Sequence, residues 1–452
     1  MNSFCPSDVA AWTGGAWLDE RKGEKINGFA FDARLIEPGQ CFIALRSDRR
    51  DGHDYIGQAL QRGALAAMVE RPIESELPQL VVKNTLDAME AIAIAVRDRY
   101  PGQVIGVTGS CGKTSTKEML TQLLGRAVTH ATEGNWNNRI GVPMTLFRLH
   151  SNEKSFAVVE AGINQPEEMG HLGAMIQANL VLVTNIGPAH LEKLSSLEGI
   201  AAEKACLMER ASSYAQLILP ADVFRYTSFA RFADRATVLI KEGESVIGQP
   251  QRVVRYRIEG GKICIEELFG QTLFSVASRS PGIRANAALA LVAADSLGIP
   301  VDLLEERLAA WSPSGNRGRL VDQSGRPCYM DCYNANPASM ADALSAFTES
   351  VSAALPRCYV LGAMQELGSR APDLHAQSLQ GLILRPGDVA CLVGPEELRA
   401  GYRRGLTASA EQIYEADSAE EIQSIVASFQ GALFLKGSRI FALEQLLPEI
   451  TE

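Results

Sequence analysis

Lys113 and Thr114 close the run Gly109-Ser110-Cys111-Gly112-Lys113-Thr114-Ser115, which the β-branched apolar stretch Val104-Ile105-Gly106-Val107 enters directly. A strand that empties into Gly-x-x-Gly-Lys-Thr predicts a phosphate cradle. The glycines let backbone N–H groups turn toward an anion, and a helix starting near Thr114 aims its positive end at the same place. Lys113 then reaches the terminal phosphates, and the Thr114 hydroxyl suits Mg²⁺. The spacing is not that of the ordinary P-loop. Five residues separate Gly106 from Gly112, and Gly109 leaves two, so the loop is a compact variant.

Further chemistry-bearing residues stand at strand ends. Glu160 closes Phe156-Ala157-Val158-Val159, where an unpaired carboxylate is expensive to bury; a Mg²⁺ ligand facing the cradle fits, as does a turn cap or a lysine partner. His190 lies in the loop Asn185-Ile186-Gly187-Pro188-Ala189-His190-Leu191-Glu192, straight after Leu180-Val181-Leu182-Val183-Thr184. The amides of Asn135, Asn137 and Asn138 both donate and accept, which suits a polar ligand. They equally suit Asx turns and a helix cap.

These residues need a scaffold that presents strand ends together. Near-continuous apolar strands at 104–107, 156–160, 180–184 and 217–220 alternate with helices, which indicates a parallel sheet covered on both faces. Residues 236–280 read differently, with alternating Val253–Ile258 and Lys262–Ile265, so antiparallel strands are expected to flank the sheet there. A smaller α/β unit precedes, with strands at 41–45 and 66–69 around a helix at 56–62, and Tyr100-Pro101-Gly102 ends it. After the turn-rich 312–318, strands at 358–362, 389–394 and 432–437 each stop at a glycine or cation. The expectation is an α/β fold of three domains: a small N-terminal α/β domain at 1–100, a central, mostly parallel P-loop domain at 101–312, and a Rossmann-like α/β domain at 313–452. In such sheets ligands bind beyond the carboxyl ends of the strands.

Bulk properties narrow the partners. With 452 residues, 46% hydrophobic and 21% charged, the chain has an ordinary globular composition for several cores. A formal charge of −10 argues against a nucleic-acid partner, so an anionic ligand needs a local positive site. The nine cysteines include no C-x-x-C pair, which fits reduced thiols in the cytoplasm. The start lacks a basic and then apolar leader, and no run is long enough to span a membrane, so no membrane insertion is expected.

Taken together, the Gly109–Ser115 loop, Gly134-Asn135-Trp136-Asn137-Asn138 with Gly141-Val142-Pro143, Asn185-Ile186-Gly187 with Ala189-His190-Leu191-Glu192, and Glu198-Gly199-Ile200-Ala201 with Lys204 resemble the ATP-dependent Mur ligases of peptidoglycan synthesis. The resemblance implies a carboxylate–amine ligase working through an acyl phosphate, with ATP and Mg²⁺. It implies that Gly109 to Ser115, Asn286, Arg319, Asp331 and Asn334 bind ATP, and that Lys113, Glu160, His190 and Lys204 are catalytic. Thr114, Glu160, His190 and Lys204 would serve the metal, Lys204 as a carbamate. The segments Asp331-Cys332-Tyr333-Asn334-Ala335-Asn336-Pro337, Leu361–Gly368 and Lys436-Gly437-Ser438-Arg439 are similar to the branch that joins D-alanyl-D-alanine to a UDP-N-acetylmuramoyl tripeptide. Those substrates would meet Asn135, Asn137, Asn138, Asn336, Lys436 and Arg439, with Asp32 and Arg34 on the uridine part, in a monomer.

Four departures stand out. Ala33 replaces a serine between Asp32 and Arg34, Cys206 replaces a glutamate, Ala363 replaces an aspartate, and Gly282 stands where a histidine is expected before Asn286. Three other readings remain at this point: the branch that adds diaminopimelate or lysine, a folylpolyglutamate synthase, and a non-catalytic P-loop switch. The Tyr333-Asn334-Ala335-Asn336-Pro337 stretch weighs against the first, and the joint presence of Lys113, Glu160, His190 and Lys204 weighs against the last.

Overall fold

The computed structural model describes residues 3–18, 24–151, 154–323 and 325–447; the outer limits 1 and 452 of the expected units lie outside them. Each stretch of alternating strands and helices closes its own sheet, giving three sheets in sequence order. The first has five strands, in the order Ala16–Trp17, Gln79–Val81, Ala66–Val69, Cys41–Ile43, Phe29–Ala30. Only its Ala16–Trp17 edge is antiparallel. The helix Thr85–Arg99, capped by Asn84 Oδ1 accepting from the Asp87 N–H, leads out and stops before Pro101, whose ring disfavours a helical Tyr100.

The central sheet has nine strands. From Thr129–Ala131 through Phe156–Glu160, Gln103–Thr108, Leu180–Val183, Gln216–Pro220 and Ala236–Lys241 to Arg252–Glu259, all neighbours are parallel. Arg252–Glu259 is the transition: it runs parallel to Ala236–Lys241 on one side and antiparallel to Lys262–Cys264 on the other. The antiparallel flank expected for 236–280 therefore begins one strand later. Along Arg252–Glu259 only Val254 is buried, which marks the strand as partly covered, whereas Gln103–Thr108 is buried on both faces after its first residue. The C-terminal sheet orders Arg319–Gln323, Arg326–Asp331, Ala432–Lys436, Arg357–Gly362, Val389–Val393, Ile413–Ala416, and all but the first pair are parallel.

The two junctions differ in chemistry. Between the first and central sheets one apolar core is continuous: Phe4, Val9, Ile26 and Phe29 share it with Val142, Phe147, Met169 and Ile176. The Phe29 and Phe147 rings lie 4.9 Å apart, and Arg97 donates to Ile176 O, Gln177 O and Asn179 Oδ1, each at 2.9 Å. Between the central and C-terminal sheets the contacts are largely polar. Asp342 accepts from Ser280 Oγ at 2.5 Å and the Gly282 N–H at 2.7 Å, Ser314 Oγ donates to Glu118, and Arg284 pairs with Glu349.

Candidate active site between the central and C-terminal sheets

Because Gln103–Thr108 lies between Phe156–Glu160 and Leu180–Val183, its carboxyl end opens in mid-sheet. The loop that follows needs glycine at two points. Gly109 has φ +148° and a Cβ there would sit 1.9 Å from Thr184 Oγ1; at Gly112, φ +78°, it would sit 2.2 Å from Asn286 Nδ2. The neighbouring loop zips the turn shut: the Ser110 N–H donates to Asn185 O, the Cys111 N–H to Asn185 Oδ1, and Ser110 Oγ to Gly187 O. That leaves the first-turn N–H groups of Lys113–Leu124 as anion donors. Lys113 Nζ donates back to Gly109 O at 2.9 Å. Burial lowers the pKa of its ammonium while Glu160 opposes the shift.

Glu160 is 1% exposed. Its Oε1 accepts from Asn137 Nδ2 at 2.7 Å and its backbone N–H donates to Thr132 Oγ1, but Oε2 has no hydrogen-bond donor among the described residues. The ammonium of Lys117 lies 3.9 Å from that oxygen, and it donates to Thr132 O and Gly134 O. A buried anionic oxygen without a donor, in one cavity with the Thr114 hydroxyl, fits a hard cation with oxygen ligands. The three amides divide: Asn135 lines the cavity, Asn137 orients Glu160, and Asn138 Oδ1 accepts from the Ile140 and Gly141 N–H groups, capping the helix Gly141–Phe147.

His190 holds φ +58° ahead of the short helix Leu191–Leu194, and its Nδ1 lies 2.5 Å from Glu366 Oε2. The hydrogen bond from His190 draws the Glu366 carboxyl below its ordinary range, against burial. Lys204, on the helix Leu197–Glu209, is 1% exposed and lies beside the cavity rather than in its lining. Its ammonium makes no hydrogen bond to a described residue. Burial, with help from Lys113, pushes its pKa well down, toward the neutral amine that can take up carbon dioxide.

The C-terminal sheet supplies the other wall. A cavity of about 580 Å³ gathers Ser110 to Ser115, Asn135, Asn137, Glu160, His190 and Asn286 with Asp331, Asn334, Asn336 and Lys436. Lys436, fully buried, donates to Asp331 Oδ2 at 2.6 Å and Asn334 O at 3.0 Å. Asn336 caps Pro337–Ser350 in a reciprocal box with Ser339. Arg317 lies in this cavity with its guanidinium 3.6 Å from the centre of the Tyr333 ring. Arg319, two residues on, lines a second cavity of about 680 Å³ with Lys262, Arg279 and Arg284. Arg439 pairs with Glu444 away from the site. In the first sheet Asp32 caps Ala33–Leu35 and takes a bidentate grip on Arg34, whose side chain holds the Asp32 carboxyl down at about 2.

Known families match along the chain: the Mur ligase family catalytic domain over 25–100, the Mur ligase middle domain over 107–264, and the Mur ligase glutamate ligase domain over 316–439. The UDP-N-acetylmuramoyl-tripeptide–D-alanyl-D-alanine ligase of Treponema pallidum is 30% identical, with 97% of each chain covered. The protein of that name from Escherichia coli K12 is 31% identical, with 94% of each covered. The chain belongs to the Mur ligase family. As a Mur ligase it is an ATP-dependent amide ligase, and the relatives at this level are MurF ligases. Crystal structure I of MurF from Acinetobacter baumannii superposes with TM-score 0.84 at 26% identity, covering 98% of each chain. MurF ligase from Thermotoga maritima in complex with ADP gives 0.76 at 25% identity, covering 93% of this chain and 96% of that one.

Several residues of this Mur ligase's site escaped the sequence. Asn185 and Glu366 sit inside stretches already singled out and Lys117 lies two residues beyond one, but nothing in spacing tells that Asn185 zips the cradle, that Lys117 approaches Glu160 or that Glu366 reaches His190. Arg317 is two residues from Arg319, and only the backbone course into Arg319–Gln323 separates the two guanidinium groups. Asp342 fills the space beside Gly282, 3.1 Å from where a Cβ would stand, which accounts for the missing side chain there.

Proposed function

We propose that this Mur ligase joins the amino group of D-alanyl-D-alanine to the terminal carboxylate of a UDP-N-acetylmuramoyl tripeptide, acting as a cytoplasmic monomer. The carboxylate attacks the γ-phosphorus of ATP and ADP leaves; the amine then attacks the acyl carbon and phosphate leaves, its proton passing to solvent or phosphate. The observation that carries this reading is the donor-less Glu160 Oε2 in one cavity with Lys113 and with Asp331 and Asn334 of the facing sheet. Phosphoryl transfer asks for charge neutralisation before it asks for a nucleophile.

Lys113 and the first-turn N–H groups hold the phosphates. Glu160 and Thr114 would hold Mg²⁺, with Asn137 and Lys117 fixing the carboxylate. Bound there, the ion neutralises charge on the transferring phosphoryl group. His190, with a carbamate on Lys204, belongs on the acyl side; the buried, unbonded Lys204 amine fits that modification. Asn286, Asp331 and Asn334 face the nucleotide, joined by Arg317, and Arg319 needs a turn of its side chain to reach it. Residues 1–100 form the uridine-nucleotide unit, with Asp32 and Arg34 on the ligand, 101–312 the ATP unit and 313–452 the amine unit. Asn135, Asn336 and Lys436 line the substrate path, Asn138 acts by capping, and Arg439, held by Glu444 outside the cavity, has no place on that path.

Phosphate release in the presence of ATP tests the reading. It is expected to require both a UDP-N-acetylmuramoyl tripeptide and D-alanyl-D-alanine; release indifferent to both overturns the ligase.

A further inference from the structure

Three contacts tie the loop after Leu180–Val183 to the loop after Arg357–Gly362. His190 Nδ1 meets Glu366 Oε2 at 2.5 Å, the Glu192 N–H donates to Glu366 O at 3.2 Å, and Gly368 comes so close that a Cβ would stand 3.3 Å from Glu192 Cα. His190 and Glu366 are both non-glycine residues in the left-handed region, at φ +58° and +64°. Such a conformation costs energy that the surroundings must offset. Here both strained residues converge on one another, from two different sheets. Leu191, next to His190 in the chain, packs against the apolar cores of both sheets.

A carboxylate on one nitrogen of an imidazole has a defined effect. It places the proton on Nδ1, fixes the ring plane, and leaves Nε2 as the nitrogen that can serve the cavity His190 lines. A histidine at the mouth of a loop otherwise samples both tautomers and several rotamers. Glu366 has one side-chain contact of this kind and is half exposed, so it is not needed to fill a core.

We propose that Glu366 is a positioning residue: supplied by the C-terminal sheet, it fixes the tautomer and orientation of His190 in the central sheet, so that His190 is ready only when the two units are docked. The proposal deepens the ligase reading and rests on it for the kinetic arm of its test, whereas the spectroscopic arm does not.

The test uses the full chain with Glu366→Gln, Glu366→Ala and Glu366→Asp, labelled with ¹⁵N-histidine, and His190→Gln to assign the His190 signals. In the unchanged protein the His190 Nδ1 resonance is expected in the protonated position. In Glu366→Ala it moves toward the non-protonated position as the proton shifts to Nε2. In the ligase assay Glu366→Ala and Glu366→Gln lower kcat about ten- to a hundred-fold, the range for losing a partner that orients a ligating histidine, with KM for ATP changed less than about threefold. Glu366→Asp recovers part of the loss. An unmoved His190 resonance in Glu366→Ala overturns the proposal whether or not the ligase reading holds. So does a kcat within about twofold of the unchanged protein in an enzyme that ligates. Glu366→Gln, isosteric and half exposed, guards against a variant that merely fails to fold.

Discussion

Glu160 carries a cost that its protein surroundings do not remove. One oxygen is bonded to Asn137 and the other, equally buried, has no donor. Replacing Glu160 with Gln keeps an acceptor for Asn137 and deletes the buried negative charge, so Glu160→Gln is expected to lose at least a hundredfold in turnover while its urea midpoint holds or rises. A variant that keeps near-normal turnover removes Glu160 from the chemistry. Arg317 allows a second prediction. Its charge acts on Lys113 and Lys117 within the phosphate cradle, and its guanidinium rests on Tyr333 rather than on a carboxylate. Arg317→Ala should weaken ADP binding by roughly ten- to a hundredfold, the worth of one charge-assisted contact, as read by calorimetric titration; an unchanged affinity removes Arg317 from the phosphate site. At this scale the sequence was informative wherever chemistry is local. Lys113, Thr114 and Glu160 were legible because a strand end, a glycine pair and a carboxylate closing an apolar run each announce themselves. The partner of His190 was not, because Glu366 lies far along the chain and meets it through a backbone conformation that no spacing encodes.

Elements were legible by their periodicity. Buried parallel strands read as unbroken apolar runs, and those at 104–107, 156–160 and 180–184 closely match the observed ones. What escaped was pairing: Arg252–Glu259 looks like an ordinary alternating strand, and nothing within it says that one edge will be parallel and the other antiparallel. The helix Ala371–Ser378 shows how an element serves a distant loop. Its His375 is fully buried; Nδ1 bonds Ala371 O at 2.6 Å and Nε2 accepts the Met364 N–H at 2.9 Å, pinning the loop that ends in Glu366. Accepting through Nε2 requires a neutral ring, and burial pushes the pKa from the ordinary 6.5 down to about 4. Between these values the unfolded chain binds a proton that the folded chain refuses, so stability falls as pH falls through that window. The loss attributable to His375 is on the order of 3 kcal/mol by pH 4, read from urea unfolding at stepped pH. His375→Gln, which can still accept from Met364, should flatten the 6.5-to-4 segment; an unchanged slope assigns acid sensitivity elsewhere.

On the scale of the whole molecule, the two junctions set which parts can move. Opening the first junction would pull Phe4 and Phe29 away from Phe147 and expose a shared apolar core, at about 25 cal/mol for each Å² uncovered. Opening the second lifts Leu191 off the C-terminal core and otherwise breaks a few polar contacts, Asp342 with Ser280 and Gly282, His190 with Glu366, and Arg284 with Glu349, whose groups water can satisfy. The cradle belongs to the central sheet while Asp331, Asn334 and Lys436 belong to the C-terminal one, so ligand binding bridges the weaker junction. Closure there also shuts water out from an acyl phosphate, which hydrolysis would otherwise waste. The first two units should therefore behave as one body against which the third rocks. Spin labels at the exposed positions Gln58, Glu242 and Glu397, with Cys5→Ser to remove an exposed thiol, measure this by pulsed dipolar distances. Adding a non-hydrolysable ATP analogue with Mg²⁺ is expected to leave the Gln58–Glu242 distance distribution in place and to shorten or narrow the Glu242–Glu397 one. A shift in the first pair as large as in the second would mean that the apolar junction, not the polar one, is the hinge.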